Sequence, residues 1–494
     1  MAMRLNGLMS GIDTESIIQQ LVEARKTKVT TAKKAQMKVD YKMNAWKSLN
    51  TKLQNLQTKY LSNMRFSDAY TKLTTKVSNS DVVSVMTGDS AVLGTQSLKV
   101  KNLAKTGILT GGELSANTTA LTKIKDLDEN FNGGKINIAF KNGKSVDIEL
   151  GEDATISDVL TQARKAGLNA SFDANQHRFF ISSKEAGEAN DFTITGDDAI
   201  LSALKLNASQ DGATKVAGQD AEIELNGATF KSSTNVFEIN GLTFTALKEA
   251  PNEEITVTTE RDTSGIYNMI KDFLKEYNSI INEIDKLYNA DLAKGYEPLT
   301  SEEKESLSET EIKEWEDKIK ESILRRDSNL NTVGSALKGI MSSGFEIGGK
   351  TYHLFDFGIE TLGYFSSADN EKNAYHINGD PDDDSTSNNA DKLMNMITND
   401  PDTVVSFFTK LSQNLYGKMS DLSKSVEGYR SFGNFYDDKK MKADYDSYTS
   451  KIAELEEKLN KYEDSWYAKF AKMETAMAKM QQNTSAITSL LGGS

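Results

Sequence analysis

The sequence predicts a multidomain α+β protein, in which nested β-rich domains are inserted between the two halves of a helical body that carries a terminal α-helical coiled coil. Glycine and proline are absent from residues 13–63 and 437–491, as long uninterrupted helices at the two chain ends require. Between them, residues 73–260 alternate apolar and polar side chains and contain glycine and asparagine turns, which is typical of strands. At 494 residues, the chain is too long for a single hydrophobic core.

The C-terminal segment carries the strongest single pattern. From Tyr448 to Leu491, apolar residues recur at alternating steps of three and four, with Thr484 as the one polar position. A seam of this length with flanking charges is typical of a coiled coil. The two consecutive steps of four that end at Phe470 form a stutter, which unwinds a supercoil locally without abolishing it.

The N-terminal helix, predicted from Asp13 to Asn63, has a weaker seam because Arg25, Lys28 and Lys42 occupy seam positions. This helix is basic and residues 441–464 are acidic, so the two helices are expected to pair through flanking ion pairs. Two solvated helices that never meet are the alternative. The predicted seam residues are Leu21, Trp46, Leu49, Leu53, Leu56, Ile452, Leu455, Leu459, Trp466, Phe470 and Met473.

Shifts in composition predict four domains. The terminal coiled-coil domain comprises residues 1–45 and 441–494, and the helical body comprises residues 46–72 and 263–440. A β-rich domain comprises residues 73–115 and 215–262, and an inserted β-rich head comprises residues 116–214. Within the head, Asn142-Gly143 predicts a hairpin between two alternating runs.

Motifs and composition argue against catalysis and cofactor binding. The chain has no cysteine, and its three histidines lie in separate contexts. Phosphate-binding, nucleophile-elbow and zinc-protease motifs do not occur, so we expect no catalytic, cofactor or metal site. Asp380, Asp382 and Asp384 alternate as in a calcium loop, but Ser385 stands where that loop requires glycine, which favours a solvated acidic loop.

Charge and hydropathy disfavour two classes of partner. A net charge of −14 argues against nucleic acid. No apolar run approaches the ~20 residues of a membrane span, and the N-terminus lacks the apolar region of a cleaved secretory signal. On these grounds alone, the expected location is cytoplasmic.

Several segments closely resemble the flagellar filament cap protein family, FliD, also called flagellar hook-associated protein 2. The signature of its N-terminus lies in residues 6–26, NGLMSGIDTESIIQQLVEARK, and the similarity continues through residues 41–63 and 78–104. Residues 134–195 resemble a flagellin-type insertion module. Residues 328–344, FGIET at 357–361 and ADKLMNMITNDPDTVVSFFTKL at 390–411 resemble the helical body of the family. The chain departs from the family at KTKV (26–29), where a Pro-Leu pair is usual, and in the elaborated charged helix at 302–320 and the acidic loop near Asp380.

The resemblance implies a structural protein without enzymatic activity that forms a homo-oligomeric ring at the distal tip of the flagellum and directs exported flagellin into the filament. It also implies hook-filament junction proteins as partners, and secretion without a cleaved signal, which replaces the cytoplasmic expectation. A flagellar export chaperone is expected at the C-terminal helix, and the candidate contacts for this chaperone or for flagellin are Met473, Met477, Met480, Ile487 and Leu491. A flagellin, a hook-filament junction protein and a surface adhesin that binds host mucin or another glycan remain alternatives.

Overall fold

The computed structural model describes residues 11–208, 212–363 and 365–491, without the side chains of Leu490 and Leu491. The chain forms two compact units, Met1–Tyr70 with Thr263–Ser494 and Thr71–Asp262. The first unit is mainly helical and the second consists mainly of antiparallel sheets. The predicted α+β class is therefore confirmed, whereas the predicted division into four domains stays a prediction.

The first unit begins with α1 (Thr14–Asn55), which continues through a π-helical turn (Leu56–Leu61) into the short α2 (Ser62–Met64). The helix starts at Asp13, whose carboxylate accepts a hydrogen bond of 3.0 Å from the backbone N–H of Ser16. Buried residues are sparse in the first half of α1 and frequent after residue 45. The two halves therefore have different surroundings.

The second unit contains fifteen strands and two α-helices within its described residues. The strands are β1 (Leu73–Val77), β2 (Val83–Thr87), β3 (Gly94–Asn102), β4 (Ile108–Thr110), β5 (Gly134–Phe140), β6 (Ser145–Leu150), β7 (Leu168–Asp173), β8 (Arg178–Ser183), β9 (Phe192–Gly196), β10 (Thr214–Val216), β11 (Ala221–Leu225), β12 (Ala228–Ser232), β13 (Val236–Ile239), β14 (Leu242–Ala246) and β15 (Ala250–Arg261). The helices are α3 (Ile156–Ala166) and α4 (Asp198–Ala203).

These strands enclose two separate hydrophobic cores. The sheets ordered β1-β15-β3-β11-β12 and β13-β14-β2 contribute one core, which includes Leu98, Ile223 and Phe244. The sheets ordered β10-β4-β8-β7 and β6-β5-β9, together with α3 and α4, contribute the other, which includes Leu160 and Phe179. Each core forms because alternate residues of its strands point inward.

The hairpin predicted in the second unit is confirmed. Strands β5 and β6 pair antiparallel with Ile138 opposite Val146. Gly143 at their turn has φ of +91°, a conformation that glycine adopts without steric cost. The side chain of Asn142 accepts a hydrogen bond of 3.0 Å from the backbone N–H of Lys144, which closes the turn.

The chain returns to the first unit at α5. The remaining elements are α5 (Thr263–Asn289), α6 (Ser301–Lys304), α7 (Glu309–Ser322), α8 (Ser328–Met341), β16 (Phe345–Ile347), β17 (Lys350–Tyr352), β18 (Ile359–Thr361), β19 (Tyr375–Ile377), α9 (Lys392–Asn399), α10 (Pro401–Leu422) and α11 (Asp438–Leu491). One large core joins the second half of α1 to α5, α8, α9 and α10. We call this part of the unit the helical body.

Candidate functional site

Helices α1 and α11 pair antiparallel beyond the helical body, and we call this pair the leg. The hydroxyl of Tyr467 donates to the carboxylate of Glu15 at 2.8 Å. The ammonium of Lys33 lies 2.7 Å from the carboxylate of Glu456. Residue numbers therefore rise along α1 as they fall along α11. The leg is formed by the two ends of one chain.

A small apolar cluster lies between the two helices of the leg. Val29 and Ala32 of α1 pack with Ile452 of α11, and Leu455 and Leu459 extend the cluster along α11. Towards its N-terminus, α1 contributes charged side chains to the contact. The guanidinium of Arg25 lies 3.8 Å from the centre of the Tyr462 ring, which is a cation–π contact. The leg is therefore held by few apolar side chains.

The base of the leg is fixed to the helical body by buried polar and aromatic contacts. The ring of Trp46 stacks on that of Tyr436, with centroids 5.4 Å apart. The amide of buried Asn50 accepts a hydrogen bond of 2.8 Å from the backbone N–H of Phe435 and donates one of 3.0 Å to Asn434. These contacts attach the turn before α11 to α1.

The predicted seam residues fall into three groups. Ile452, Leu455 and Leu459 lie in the apolar cluster of the leg. Leu21, Trp466, Phe470 and Met473 are half-buried, and the rings of Trp466 and Phe470 lie 5.9 Å apart along α11. The other four lie in the core of the helical body, because α11 begins only at Asp438 and does not extend alongside this part of α1. These four are Trp46, Leu49, Leu53 and Leu56.

Sequence reasoning did not select Val29 or Asn50, although both contribute to the leg. Val29 is 5% exposed and lies in the segment where the chain departs from the pattern of the family. The only local sign of its burial is that Val29 is an apolar residue flanked on both sides by lysines, at positions 26, 28, 33 and 34. Asn50 gave none, because its partners lie 384 and 385 residues away in the chain.

The last part of α11 exposes apolar side chains. Met477, Met480 and Ile487 are 37%, 70% and 56% exposed, and Met473 is half-buried. The side chain of Leu491 lies outside the described part of the chain. A stripe of methionines offers a deformable apolar surface to a partner.

The expected pairing of charges between α1 and α11 is found only in part. Lys33 pairs with Glu456 of α11. The side chains of Lys26, Lys34, Lys38 and Lys42 instead pair with acidic residues of the helical body. The basic side chains of α1 therefore also bind the helical body, a contact that the sequence pattern did not predict.

The acidic loop is held by a lysine. The ammonium of Lys271 lies 2.6 Å from the carboxylate of buried Asp380 and 2.7 Å from that of Asp382. The hydrogen bond from Lys271 lowers the pKa of Asp382. Across residues 11–208, 212–363 and 365–491, no three histidine, aspartate or glutamate side chains converge as a metal site would require. Over the same part of the chain, no helix combines the length and apolar character needed to cross a membrane.

Comparison with known proteins agrees with the resemblance seen in the sequence. The family described as Flagellar hook-associated protein 2 C-terminus matches residues 218–482, more than half of the chain. Its N-terminal counterpart matches residues 10–107.

Curated relatives and a solved structure are similar along much of the chain. The flagellar hook-associated protein 2 of Halalkalibacterium halodurans is 25% identical over 422 residues, which cover 77% of this chain and 78% of that protein. That of Aeromonas caviae is 24% identical, with 99% and 98% covered. A crystal structure of the D1-D2-D3 domains of the flagellar cap protein FliD from Escherichia coli is 20% identical with a TM-score of 0.49, covering 82% of this chain and 99% of that one. The resemblance predicted from the sequence is confirmed, and the chain belongs to the flagellar hook-associated protein 2 family, FliD.

Proposed function

We propose that this protein is a structural cap at the distal end of the bacterial flagellar filament. In this role, a homo-oligomeric ring of the chain confines exported flagellin, promotes its folding and directs it to the next position in the filament. The observation that carries the proposal is the family match, which covers residues 10–107 and 218–482. That match favours a cap over the alternatives of a flagellin or a hook-filament junction protein.

The geometry of the first unit supports a role in which the leg enters the end of the filament. The base of the leg is fixed by Trp46, Asn50 and the turn before α11. Beyond that base, the helices are joined by a small apolar cluster and by isolated polar and cation–π contacts, and Ile18 is a further buried apolar residue of α1. A firmly attached base with a lightly packed leg allows the leg to adjust as subunits are added, because packing is what makes helices rigid.

The exposed apolar stripe of α11 supports a second partner. We infer that Met473, Met477, Met480, Ile487 and Leu491 bind a flagellar export chaperone before secretion, and contact flagellin afterwards. Methionine side chains suit two such partners because they adapt to different surfaces. On this account the protein leaves the cell through the flagellar export route without a cleaved signal and acts outside it.

Deleting the gene in its host tests the cap function directly. We expect cells without filaments and monomeric flagellin in the culture medium, because flagellin would be exported without being retained at the tip. Electron microscopy of the cells and immunoblotting of the medium measure both. Normal filaments in the deletion strain would contradict the proposal.

Complementation of the deletion strain tests whether the leg is required for filament assembly. The full chain should restore filaments, whereas a chain that ends at Asp437 should not, because it lacks α11. Immunoblots must show that both chains are exported, so that failure of assembly is separated from failure of secretion.

A further inference from the structure

The basic face of α1 meets an acidic segment of the helical body. The ammonium of Lys26 lies 2.5 Å from the carboxylate of Glu302, and that of Lys34 lies 2.6 Å from Glu303. Further along α1, Lys38 lies 2.7 Å from Glu297. The three acidic residues are close in sequence, within residues 297–303.

Residues 296–323, which include these glutamates, form an ordered element that we call the clasp. Its two helices each begin with a capping box, formed by Thr300 with Glu303 and by Ser308 with Glu311. The indole of Trp315 donates a hydrogen bond of 2.8 Å to the backbone carbonyl of Glu297. The acidic side chains are therefore presented by a folded scaffold and not by an extended loop.

We propose that the clasp holds the N-terminal half of α1 on the helical body through these ion pairs, and that ionic strength controls its release. The proposal rests on the contacts within the first unit and is independent of the function proposed above. A clasp of this kind would keep the leg docked in one ionic environment and free it in another.

The exposure of the pairs supports release by salt. The carboxylate side chains of Glu297, Glu302 and Glu303 are 56%, 68% and 42% exposed. Charges in such positions are screened over about 8 Å at physiological salt and over about 3 Å at 1 M. By contrast, Asp327, which pairs with Lys42 closer to the base of the leg, is only 4% exposed. Opening should therefore start at the Lys26 end and stop near Lys42.

The clasp and the leg also border a common groove. Val29 of α1, Ile452 of α11 and Leu299 of the clasp line a groove between the clasp and the leg. Val29 and Ile452 pack on each other on the leg side of this groove, and the ion pairs of Lys26, Lys34 and Lys38 link that side to the clasp. Screening them should release the leg without unfolding it.

Spin labelling measures the release, and the absence of native cysteine makes the labelling specific. Thr30 and Ser301 border the groove from opposite sides, so T30C and S301C place one label on the leg and one on the clasp. In 50 mM NaCl, we expect a single narrow distance distribution by double electron–electron resonance. In 1 M NaCl, we expect a broad distribution at longer distances. Circular dichroism at both salt concentrations should show unchanged helix content.

Charge reversal provides a salt-independent test. The double variant Lys26→Glu and Lys38→Glu should give the broad distribution already in 50 mM NaCl. Adding Glu297→Lys and Glu302→Lys restores complementary charges and the original net charge, and should restore the narrow distribution. Glu303 is left unchanged because its side chain also caps the first helix of the clasp. Lys47→Glu is the control, because Lys47 is an exposed residue of α1 without an ion pair among the described residues. A distance distribution that is unchanged both by salt and by the double charge reversal would overturn the clasp.

Discussion

Asp327 serves two structural roles with its two carboxylate oxygens. One oxygen accepts a hydrogen bond of 3.0 Å from the backbone N–H of Leu330 and so caps α8. The other lies 2.7 Å from the ammonium of Lys42 on α1. Since its side chain is only 4% exposed, neither role is readily taken over by water.

The two roles can be separated by substitution. We expect Asp327→Ala to lower the free energy of unfolding by about 2–3 kcal/mol, because it removes both the cap and the ion pair. Asp327→Asn should cost about 1 kcal/mol less, because its amide oxygen can still cap the helix. Urea unfolding followed by circular dichroism measures both. Lys42→Met, which removes only the ion pair, is the matched control, and equal losses for the two Asp327 variants would contradict the capping role.

Asp383 makes the stability of the helical body sensitive to acid. Burial disfavours its charge, but hydrogen bonds from His376 at 2.6 Å and from the backbone of Ser385 outweigh burial and lower its pKa. A carboxyl whose pKa is lower in the folded than in the unfolded state stabilises the fold above its unfolded pKa of about 3.9. That contribution is lost as the pH falls through the folded value.

We therefore expect Asp383→Asn to destabilise the protein at pH 7, and the difference from the parent to shrink as the pH falls through the folded pKa of Asp383, because the parent then loses this charge. Unfolding free energies measured between pH 2 and pH 7 test this expectation. A constant difference between variant and parent across that range would show that the ionised carboxylate is not the stabilising form.

At the level of single residues, the local role of a side chain was easier to predict than its contact partners in the fold. The predicted start of the N-terminal helix at Asp13 agrees with the structure, in which Asp13 caps α1, whereas the expectation of a solvated acidic loop missed the burial of Asp380. The structure adds Lys271 as the cation between Asp380 and Asp382. That lysine lies more than a hundred residues away in the chain, so no local pattern could indicate it.

At the level of elements, the middle of the leg is packed by one small apolar cluster. Ile452 is 8% exposed and is the most buried apolar residue that α11 contributes to it. Truncating it to alanine should cost about 2 kcal/mol, the lower end of the range for buried isoleucine, because the cluster is close to solvent. The loss should be local, since the helical body has a separate core.

Hydrogen exchange tests this local effect. In Ile452→Ala, we expect faster exchange of backbone amides in residues 14–36 and 445–470, with no change in α5. Asn460→Ala, at an exposed position of the same helix, is the control. Equal acceleration in α5 would show that leg and body unfold together, contrary to their separate clusters.

The helices themselves were predictable, but the partner of each face was not. The absence of glycine and proline and the apolar periodicity indicate where α1 and α11 run. The same periodicity describes a coiled-coil seam and the buried stripe of a helix in a globular core. For that reason Trp46, Leu49, Leu53 and Leu56 fit the seam pattern although they pack in the helical body. Only tertiary contacts distinguish the two cases.

At the level of the whole molecule, the second unit has the features of an independent domain. It has two cores of its own, and its first and last strands pair with Leu73 opposite Arg261. An insertion whose ends lie side by side can fold without the rest of the chain. We expect residues 71–262 expressed alone to be soluble and to unfold cooperatively with heat, as circular dichroism would show. A gradual transition without a baseline would contradict this.

The fold class of the molecule was predictable because it depends on the order of helical and alternating segments, which local sequence shows. The number and the bounds of domains depend on which strands share a sheet. Strand β4 illustrates this limit, because its paired residues in β8 and β10 are 70 or more positions away in the chain. Such pairings leave no local signal.

Immunogold labelling of intact flagella against this protein tests the central claim most directly. If the protein caps the filament, electron microscopy should show gold particles at the distal tips and not along the shaft. Labelling along the whole filament would indicate a flagellin, and labelling confined to the hook end would indicate a junction protein. Either pattern would contradict a cap.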